Sequence, residues 1–325
     1  MLFDSHAHLN NDGMSPEEIE ERALSIEESD VDFMMDVGYD WPSTVLALEH
    51  AKKYSWCYAV AGVHPHDSET MTDEMLEALK QLILKDRVYL HEEGKEEFEN
   101  DDPEGAKGFR QKNIKAIGEI GLDFHYDLSP RDVQRVWFRK QIRLAVELDM
   151  PIVIHAREAD QEVMDILKEE GAFSKERIAG FPERPAPSEP VTYEIKDEKG
   201  RVVRTRTVDF SDCTGDARVD IHCFSGSREL GIEYVKLGAA LGVDGPVTYK
   251  NNKKTVGVVQ VIPTEFLMIE TDSPYLSPAP YRGKPNRSEY VEHVARKIAE
   301  IKGQSYEDVA LTTQRNGIRF FDIQF

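Results

Sequence analysis

Six side chains of the types that bind divalent metal ions stand at or beside the ends of short apolar segments. They are His6, His8, Glu119, His155, His222 and Asp272. Any one of them alone is more often a hydrogen-bonded core residue than a ligand. Six in phase with the segment ends predict a metal centre.

The number and spacing of these groups predict two ions rather than one. His6 and His8 are two residues apart, so their side chains leave a strand on the same face. Glu119 interrupts the apolar run 116–122, where an unpaired carboxylate would be costly to bury. Six ligands exceed the four of a tetrahedral site and suit two ions about 3.5–4 Å apart, with Glu119 placed to bridge them. Such a pair activates water for hydrolysis of a phosphoryl or acyl group.

Eight β-rich segments alternate with helical patterns and carry these six residues. The segments are residues 2–8, 33–38, 58–63, 115–121, 151–155, 219–222, 239–243 and 266–271. Several are nearly continuous apolar runs, as expected for parallel strands that are covered on both faces. Helix start signals lie between or after them, at Ser15, Thr72, Ser129 and Ser305. The alternation predicts an α/β fold, a (β/α)₈ TIM barrel, whose active site lies at the C-terminal ends of the strands.

Two insertions interrupt the alternation, and we expect the chain to form a single hydrolase barrel, residues 1–325. The first insertion, about residues 86–113, is strongly acidic and predicts a solvated loop. The second, about residues 171–216, holds four prolines and then two alternating segments, 191–195 and 202–208, that predict a β-hairpin. A barrel of about 250 residues with such insertions accounts for the length of the chain.

The charge of the chain limits how it can bind nucleic acid. It carries 40 Lys and Arg against 61 Asp and Glu, a formal net charge of −21. This balance excludes attraction of polyanions by bulk surface charge, so DNA or another phosphoester would have to bind at a local site. Arg201, Arg204 and Arg206 form a basic cluster on the predicted hairpin. We interpret it either as a guide for a polyanion above the metal site or as an oligomer contact or surface flap.

The cysteine content and the absence of targeting signals both indicate a cytoplasmic protein. The three cysteines include no C-x-x-C pair, which argues against a disulfide framework and for a reducing environment. The first thirty residues show no basic start followed by an apolar export segment. No stretch reaches the roughly 20 apolar residues of a membrane span. We therefore expect a cytoplasmic protein that does not bind membranes, while its oligomeric state carries no sequence signal.

Motifs along the chain resemble those of a known enzyme family. They are FDSHAH at 3–8, GVHPH at 62–66, GEIGLD at 118–123, HAREA at 155–159, HCFSG at 222–226, ETDSPYL at 270–276 and YRGK at 281–284. In these motifs the chain resembles the TatD-related metal-dependent deoxyribonucleases, a branch of the amidohydrolase superfamily. The resemblance implies a barrel with a two-metal site that hydrolyses DNA phosphodiesters, often from the 3′ end of single strands.

The resemblance also implies roles for the six candidate ligands. The two histidines of the first segment hold one ion, His155 and His222 hold the other, and Glu119 is shared. Asp272 binds the first ion and, as general base, takes a proton from the water that the two metals activate.

Four further residues are predicted to contact substrate. His64 resembles a substrate-contacting group of the family, and His66 follows it after Pro65. Arg157 can bind a phosphate oxygen bidentately, and Tyr275 can stack on a base. Each has a structural alternative: a histidine held by a turn, a salt bridge at the rim, or rim packing.

Two other functions are compatible with the same residues. The first is hydrolysis of an ester or amide, such as a lactone or an aminoacyl ester on tRNA, because two-metal barrels serve both chemistries. The second is a non-catalytic metal-binding scaffold, against which Asp272 argues, since binding alone needs no base. Four histidines favour Zn²⁺, Mn²⁺, Fe²⁺ or Ni²⁺ by ligand softness, whereas the family resemblance implies Mg²⁺.

Overall fold

The structure is a computed structural model, and its description covers residues 1–91, 103–196 and 199–324. In chain order its strands are β1 (Leu2–Ala7), β2 (Val31–Val37), β3 (Cys57–Ala61), β4 (Arg87–Leu90), β5 (Gly108–Gln111), β6 (Ile114–Asp123), β7 (Ile152–Arg157), β8 (Val191–Lys196), β9 (Val202–Val208), β10 (Val219–Ile221), β11 (Ala240–Val243) and β12 (Leu267–Ile269). Eight of them form one parallel sheet in the order β1-β2-β3-β6-β7-β10-β11-β12. Each coincides with one of the eight predicted segments, so the predicted (β/α)₈ barrel is confirmed.

Helices surround this sheet. They are α1 (Pro16–Glu27), α2 (Trp41–Lys53), α3 (Asp73–Lys85), α4 (Arg131–Glu147), α5 (Asp160–Glu169), α6 (Lys175–Ala179), α7 (Arg228–Lys236), α8 (Lys253–Val261), α9 (Val291–Lys302) and α10 (Tyr306–Phe320). The strands are buried on both faces, and all ten residues of β6 are buried. This double burial explains why the strand sequences are nearly continuous apolar runs.

Three of the four predicted helix starts are side-chain caps. Ser15 accepts from the backbone N–H of Glu18, whose side chain bonds back in a capping box, and Thr72 and Ser305 cap α3 and α10. Ser129 differs, because α4 begins after Pro130 without a side-chain cap. Ser129 instead donates to the carbonyl of His66, at 2.7 Å, and so fixes the turn after β3.

The first and last barrel strands meet at a closing seam. A backbone bridge joins Ala7 to Ser273, and the N–H of Asp272 donates to the carbonyl of His6, at 2.8 Å. Deeper in the seam, Asp4 accepts from the hydroxyl of Thr271, at 2.6 Å, and from its backbone N–H. These bonds hold the two chain segments of the predicted metal site side by side.

Both insertions leave the barrel at its N-terminal end, because each precedes a strand rather than following one. The ends of the acidic insertion pair as the antiparallel hairpin β4–β5, where we predicted only a loop. Residues 92–102 of that predicted loop lie outside the described residues. The second insertion contains α6 and the predicted hairpin, β8–β9.

Candidate metal centre

The six predicted ligands meet at the C-terminal end of the barrel. Five of them line the floor of an open cavity of about 710 Å³, and His6 lies fully buried beneath it. His6 lies in β1 and His8 directly follows it, while β6 positions Glu119 and β7 positions His155. His222 directly follows β10, and Asp272 follows β12 by three residues. The expected convergence at the strand ends is therefore observed in the fold.

Glu119 stands at the centre of this cluster. One carboxylate oxygen lies 3.3 Å from His6 Nε2 and 4.0 Å from His8 Nε2. The other lies 2.7 Å from His155 Nδ1 and 3.9 Å from His222 Nε2. One oxygen thus faces the first-strand histidines and the other faces the later ones, which is the arrangement a bridging carboxylate requires.

Asp272 completes the half of the cluster that contains the first strand. Its Oδ1 lies 3.3 Å from His8 Nε2 and 4.0 Å from His222 Nε2. Burial raises the pKa of Asp272, but the hydrogen bond with His8 and the charge of His222 outweigh it, so the pKa lies below its ordinary value. The side chain is therefore an ionised carboxylate at neutral pH, as either a ligand or a base must be.

In two of the histidines, an acceptor next to Nδ1 determines which ring nitrogen faces the ligand cluster. His8 Nδ1 lies 2.8 Å from the carbonyl oxygen of Val37, which can only accept, so Nδ1 carries a proton and Nε2 is the nitrogen that faces Glu119 and Asp272. His222 Nδ1 lies 2.9 Å from the carboxylate of Glu270. Nε2 of His222 is therefore the ring nitrogen that faces the ligand cluster. Partners of this kind orient metal-binding histidines in general.

His6 gives the most direct test of whether the site fits a metal. It is 0% exposed, and neither ring nitrogen has a hydrogen-bond partner among the described residues. Burial first, and then the charge of His222, lower the pKa of His6, so the ring is neutral and its lone pair available. A buried imidazole without partners is unfavourable, and a cation between His6, His8 and Glu119 removes that penalty. The donor set therefore fits divalent metal ions.

His64 stands close enough to Glu119 and His155 to be a third ligand with them. However, its Nδ1 accepts the backbone N–H of His66, at 3.1 Å, so the proton must sit on Nε2. Burial and the neighbouring His155 hold the pKa of His64 well below its ordinary value, so the ring is neutral. Nε2 is then a donor rather than a ligand, which agrees with the predicted substrate contact.

The other three predicted substrate contacts also line the cavity. His66 Nε2 lies 2.8 Å from Asp123 Oδ2, and the guanidinium of Arg157 lies 4.7 Å from the ring centre of Tyr126. Tyr275 is 53% exposed, and its hydroxyl accepts from the side-chain amide of Asn11. Their contact with substrate remains a prediction.

Three residues that sequence reasoning did not single out belong to the site. Asp123 binds His66 and His155, Glu270 lies 2.9 Å from His222 Nδ1, and Tyr126 is 52% exposed at the cavity wall. Glu270 fits here because Gly242 has no side chain: a Cβ atom at residue 242 would lie 2.5 Å from the carboxylate. The sequence did contain a signal for Asp123 and Glu270, because each lies in a motif at the end of a barrel strand.

Replacing Asp123 with Asn is expected to weaken metal binding about 10- to 100-fold, as typically follows from the loss of a partner that orients a ligand. Asp123 Oδ2 lies 3.3 Å from His155 Nε2, which directs His155 Nδ1 toward Glu119. The measurement is competition for Zn²⁺ against a chromophoric chelator. Asp127→Asn, at an exposed rim carboxylate paired with Arg131, is the matched control. Equal affinities in the two variants would contradict the role of Asp123.

The hairpin β8–β9 lies against the outer layer of helices. The side chain of Arg228 bonds the carbonyl of Glu194, at 3.5 Å, and Arg206 pairs with Glu229, at 3.4 Å, both at the start of α7. No residue of this hairpin appears among the described residues that line the cavity. The hypothesis that its arginines guide a polyanion therefore has no support from the cavity lining.

The barrel and its histidine–carboxylate centre define the class of metal-dependent hydrolases. The family model for TatD related DNase matches residues 3–180 and 192–322, and the chain belongs to this family. The metal-dependent hydrolase YabD of Bacillus subtilis is 37% identical over 99% of this chain and 100% of that protein. The 3′-5′ ssDNA/RNA exonuclease TatD of Citrobacter koseri is 27% identical over 90% of this chain and 88% of that protein.

Solved structures share the fold. The TatD homologue YjjV of Escherichia coli superposes with a TM-score of 0.72 and 23% identity, covering 99% of this chain and 98% of its own. The phosphotriesterase homology protein of the same species gives a TM-score of 0.56 at 14% identity, with 98% of each chain covered. Within the described residues, no helix is long and apolar enough to cross a membrane.

Proposed function

We propose that the protein is a 3′–5′ deoxyribonuclease that holds two divalent ions at this centre. The observation that carries the proposal is Glu119, whose two carboxylate oxygens face different histidines, one oxygen His6 and the other His155. His6, His8 and Asp272 would hold one ion and His155 and His222 the other. The ions, when bound, supply Lewis-acid activation of a water molecule and of the scissile phosphate. Softness of the ligands favours Zn²⁺, Mn²⁺, Fe²⁺ or Ni²⁺ over Mg²⁺.

Asp272 is the general base of the proposed reaction. Its carboxylate is ionised at neutral pH, and it faces both the ligand cluster and the open cavity. It can therefore take a proton from an attacking water without first losing one itself. Its neighbour His8 donates to the carbonyl of Val37, so the His8 ring cannot rotate away from the site.

The cavity wall supplies groups that suit a nucleic-acid end. Neutral His64 presents an N–H, and Arg157 presents a planar guanidinium, both of which bind phosphate oxygens. Tyr126 and Tyr275 are each about half exposed and offer ring faces on which bases can stack. An open cavity of about 710 Å³ admits a terminal nucleotide, whereas the bulk charge of −21 repels the remainder of a long polyanion. The exonuclease name of the Citrobacter relative supports the same substrate class.

The test uses metal-free protein and single-stranded DNA labelled at either end, with Mg²⁺, Mn²⁺ or Zn²⁺ added separately. We expect a ladder of shortened products from the 5′-labelled strand and a labelled mononucleotide from the 3′-labelled strand. Both should require metal and disappear in Glu119→Ala. Absence of cleavage with every metal, while two ions are bound, would contradict the nuclease and favour the ester or amide substrate. Lactones and aminoacyl esters are the substrates to test next.

A further inference from the structure

A second cavity lies at the opposite end of the barrel, where the strands begin. It measures about 380 Å³ and is bounded by β5, the starts of β6 and β7, residues 180–182, Arg218 and residues 321–322. None of the candidate metal ligands lines it. It is therefore separate from the centre described above, and nothing in the proposed hydrolysis requires it.

Arg218 is the unusual feature of this cavity. It is 7% exposed, and its guanidinium stacks on the ring of Phe181, at 4.5 Å from the ring centre. Within the described part of the chain, none of its side-chain nitrogens has a hydrogen-bond acceptor, and Nε is fully buried without one. A guanidinium usually meets carbonyl or carboxylate oxygens where it is buried, as Arg184 does in the same layer with three backbone carbonyls. Arg218 lacks such oxygens.

Lys115 adds a second buried cation to the same cavity. It is 6% exposed, and its ammonium donates to the carbonyls of Gln111, at 2.6 Å, and Asp322, at 3.1 Å. An ammonium has three donors, so one remains for a ligand. Burial lowers the pKa of Lys115 to about 8, the charges of Arg110 and Arg218 add to this effect, and Asp322 and Asp86 oppose it. The protein groups around Lys115 therefore compensate its charge only in part.

The cavity is lined by more cationic than anionic side chains, whereas the whole molecule is acidic. Three cationic side chains, Arg110, Lys115 and Arg218, line it with two carboxylates, Asp149 and Asp322. The chain as a whole carries a net charge of −21. A buried guanidinium without acceptors and a buried ammonium with one donor left, in a cavity open to solvent, form a site for an anion with several oxygen atoms. Phosphate matches the guanidinium bidentately and accepts from the ammonium as well.

We propose that this cavity binds a small phosphomonoester, with its phosphate between Arg218 and Lys115. Phe109, which is 36% exposed, offers an apolar wall for the rest of the ligand. A volume of about 380 Å³ is large enough for a sugar phosphate or a nucleoside monophosphate as well as for inorganic phosphate. The shared chemistry is the phosphate group, and the three ligands differ in what they place against Phe109.

The test is calorimetric titration of the metal-free full-length protein with inorganic phosphate, ribose 5-phosphate and deoxyadenosine 5′-monophosphate. Metal is removed so that the catalytic centre does not capture the anion. We expect one site per chain, and tighter binding of the two organic phosphates than of phosphate itself. Arg218→Gln should weaken binding about tenfold or more, as expected for loss of a charged hydrogen-bonding partner. Failure of all three anions to bind the folded protein would overturn the proposal.

Two further variants show whether the anion binds in this cavity or elsewhere on the molecule. Arg296→Gln removes another arginine that stacks on an aromatic ring, at 4.1 Å from the ring centre of Tyr306 and outside the cavity, and should leave binding unchanged. Arg157→Gln, at the guanidinium of the catalytic cavity, should also leave it unchanged, and binding lost in Arg157→Gln but kept in Arg218→Gln would assign the anion to the catalytic end and overturn the proposal. If Arg218→Gln does not fold, as thermal unfolding without ligand will show, Lys115→Met gives the same test with a second residue of the site.

Discussion

Replacing Asp272 with Asn is expected to lower kcat for single-stranded DNA about 10²- to 10⁴-fold, which is the usual contribution of a positioned general base. The amide keeps the size and one oxygen of the carboxylate, which lies 3.3 Å from His8, but cannot accept a proton from water. KM should change little, because Asp272 does not contact the substrate in the proposed reaction. Steady-state kinetics with a saturating metal concentration will measure both constants.

The control for this prediction is Asp127→Asn, the same chemical change at an exposed carboxylate of the rim. Metal content must be measured in both variants, because Asp272 is also a proposed ligand. A fall in kcat that disappears when metal is added in excess would assign Asp272 to metal binding alone. A kcat equal to that of the control would remove it from the mechanism.

Glu119→Gln is expected to have the largest effect on metal binding. The carboxylate lies within 4.0 Å of the ring nitrogens of His6, His8, His64, His155 and His222, so its charge is shared by the whole cluster. Burial raises its pKa, but the surrounding histidines together, including the hydrogen bond with His155, hold the pKa well below the ordinary value. We expect about two ions per chain in the wild type, at most one in the variant, and hydrolysis reduced to background.

Thermal unfolding gives an independent measurement of the same prediction. Metal at 100 times its Kd stabilises the folded state by about 2.7 kcal/mol, so wild-type Tm should rise when metal is added to the metal-free protein. Glu119→Gln should lose most of this rise. Glu147→Gln, at an exposed residue of α4 paired with Lys80, should keep it. A full rise in Tm and two bound ions in Glu119→Gln would contradict the bridging role.

The barrel and the convergence of the candidate metal ligands could be predicted because both depend on local pattern. Parallel strands buried on two faces require apolar runs, and polar residues that end such runs must meet at one end of the barrel. The His-x-His spacing of His6 and His8 and the isolated carboxylate of Glu119 are visible in the chain without any knowledge of contacts. The family motifs point to the same six residues.

Contacts between distant residues could not be predicted in this way. The proton position on His64 depends on a backbone N–H two residues later. The role of Asp123 depends on His66, in the turn after β3, and on His155, in β7. The acidic insertion was predicted as a loop because its charge conceals the short strands β4 and β5 at its two ends. From the sequence, the hydroxyl of Ser129 could either cap a helix or bond another group. Only the packing of the turn after β3 determines that it donates to the carbonyl of His66.

The seam between β12 and β1 determines when the candidate metal site can form during protein synthesis. Asp4 and Thr271, which the seam joins, are 267 residues apart in the chain. At a synthesis rate of about 5–20 residues per second, the first-strand histidines wait roughly 13 to 53 seconds before Asp272 exists to complete their site. During that interval the nascent chain lacks a fully formed place for a metal ion. A metal ion can therefore meet the complete candidate site only after nearly the whole barrel has been synthesised.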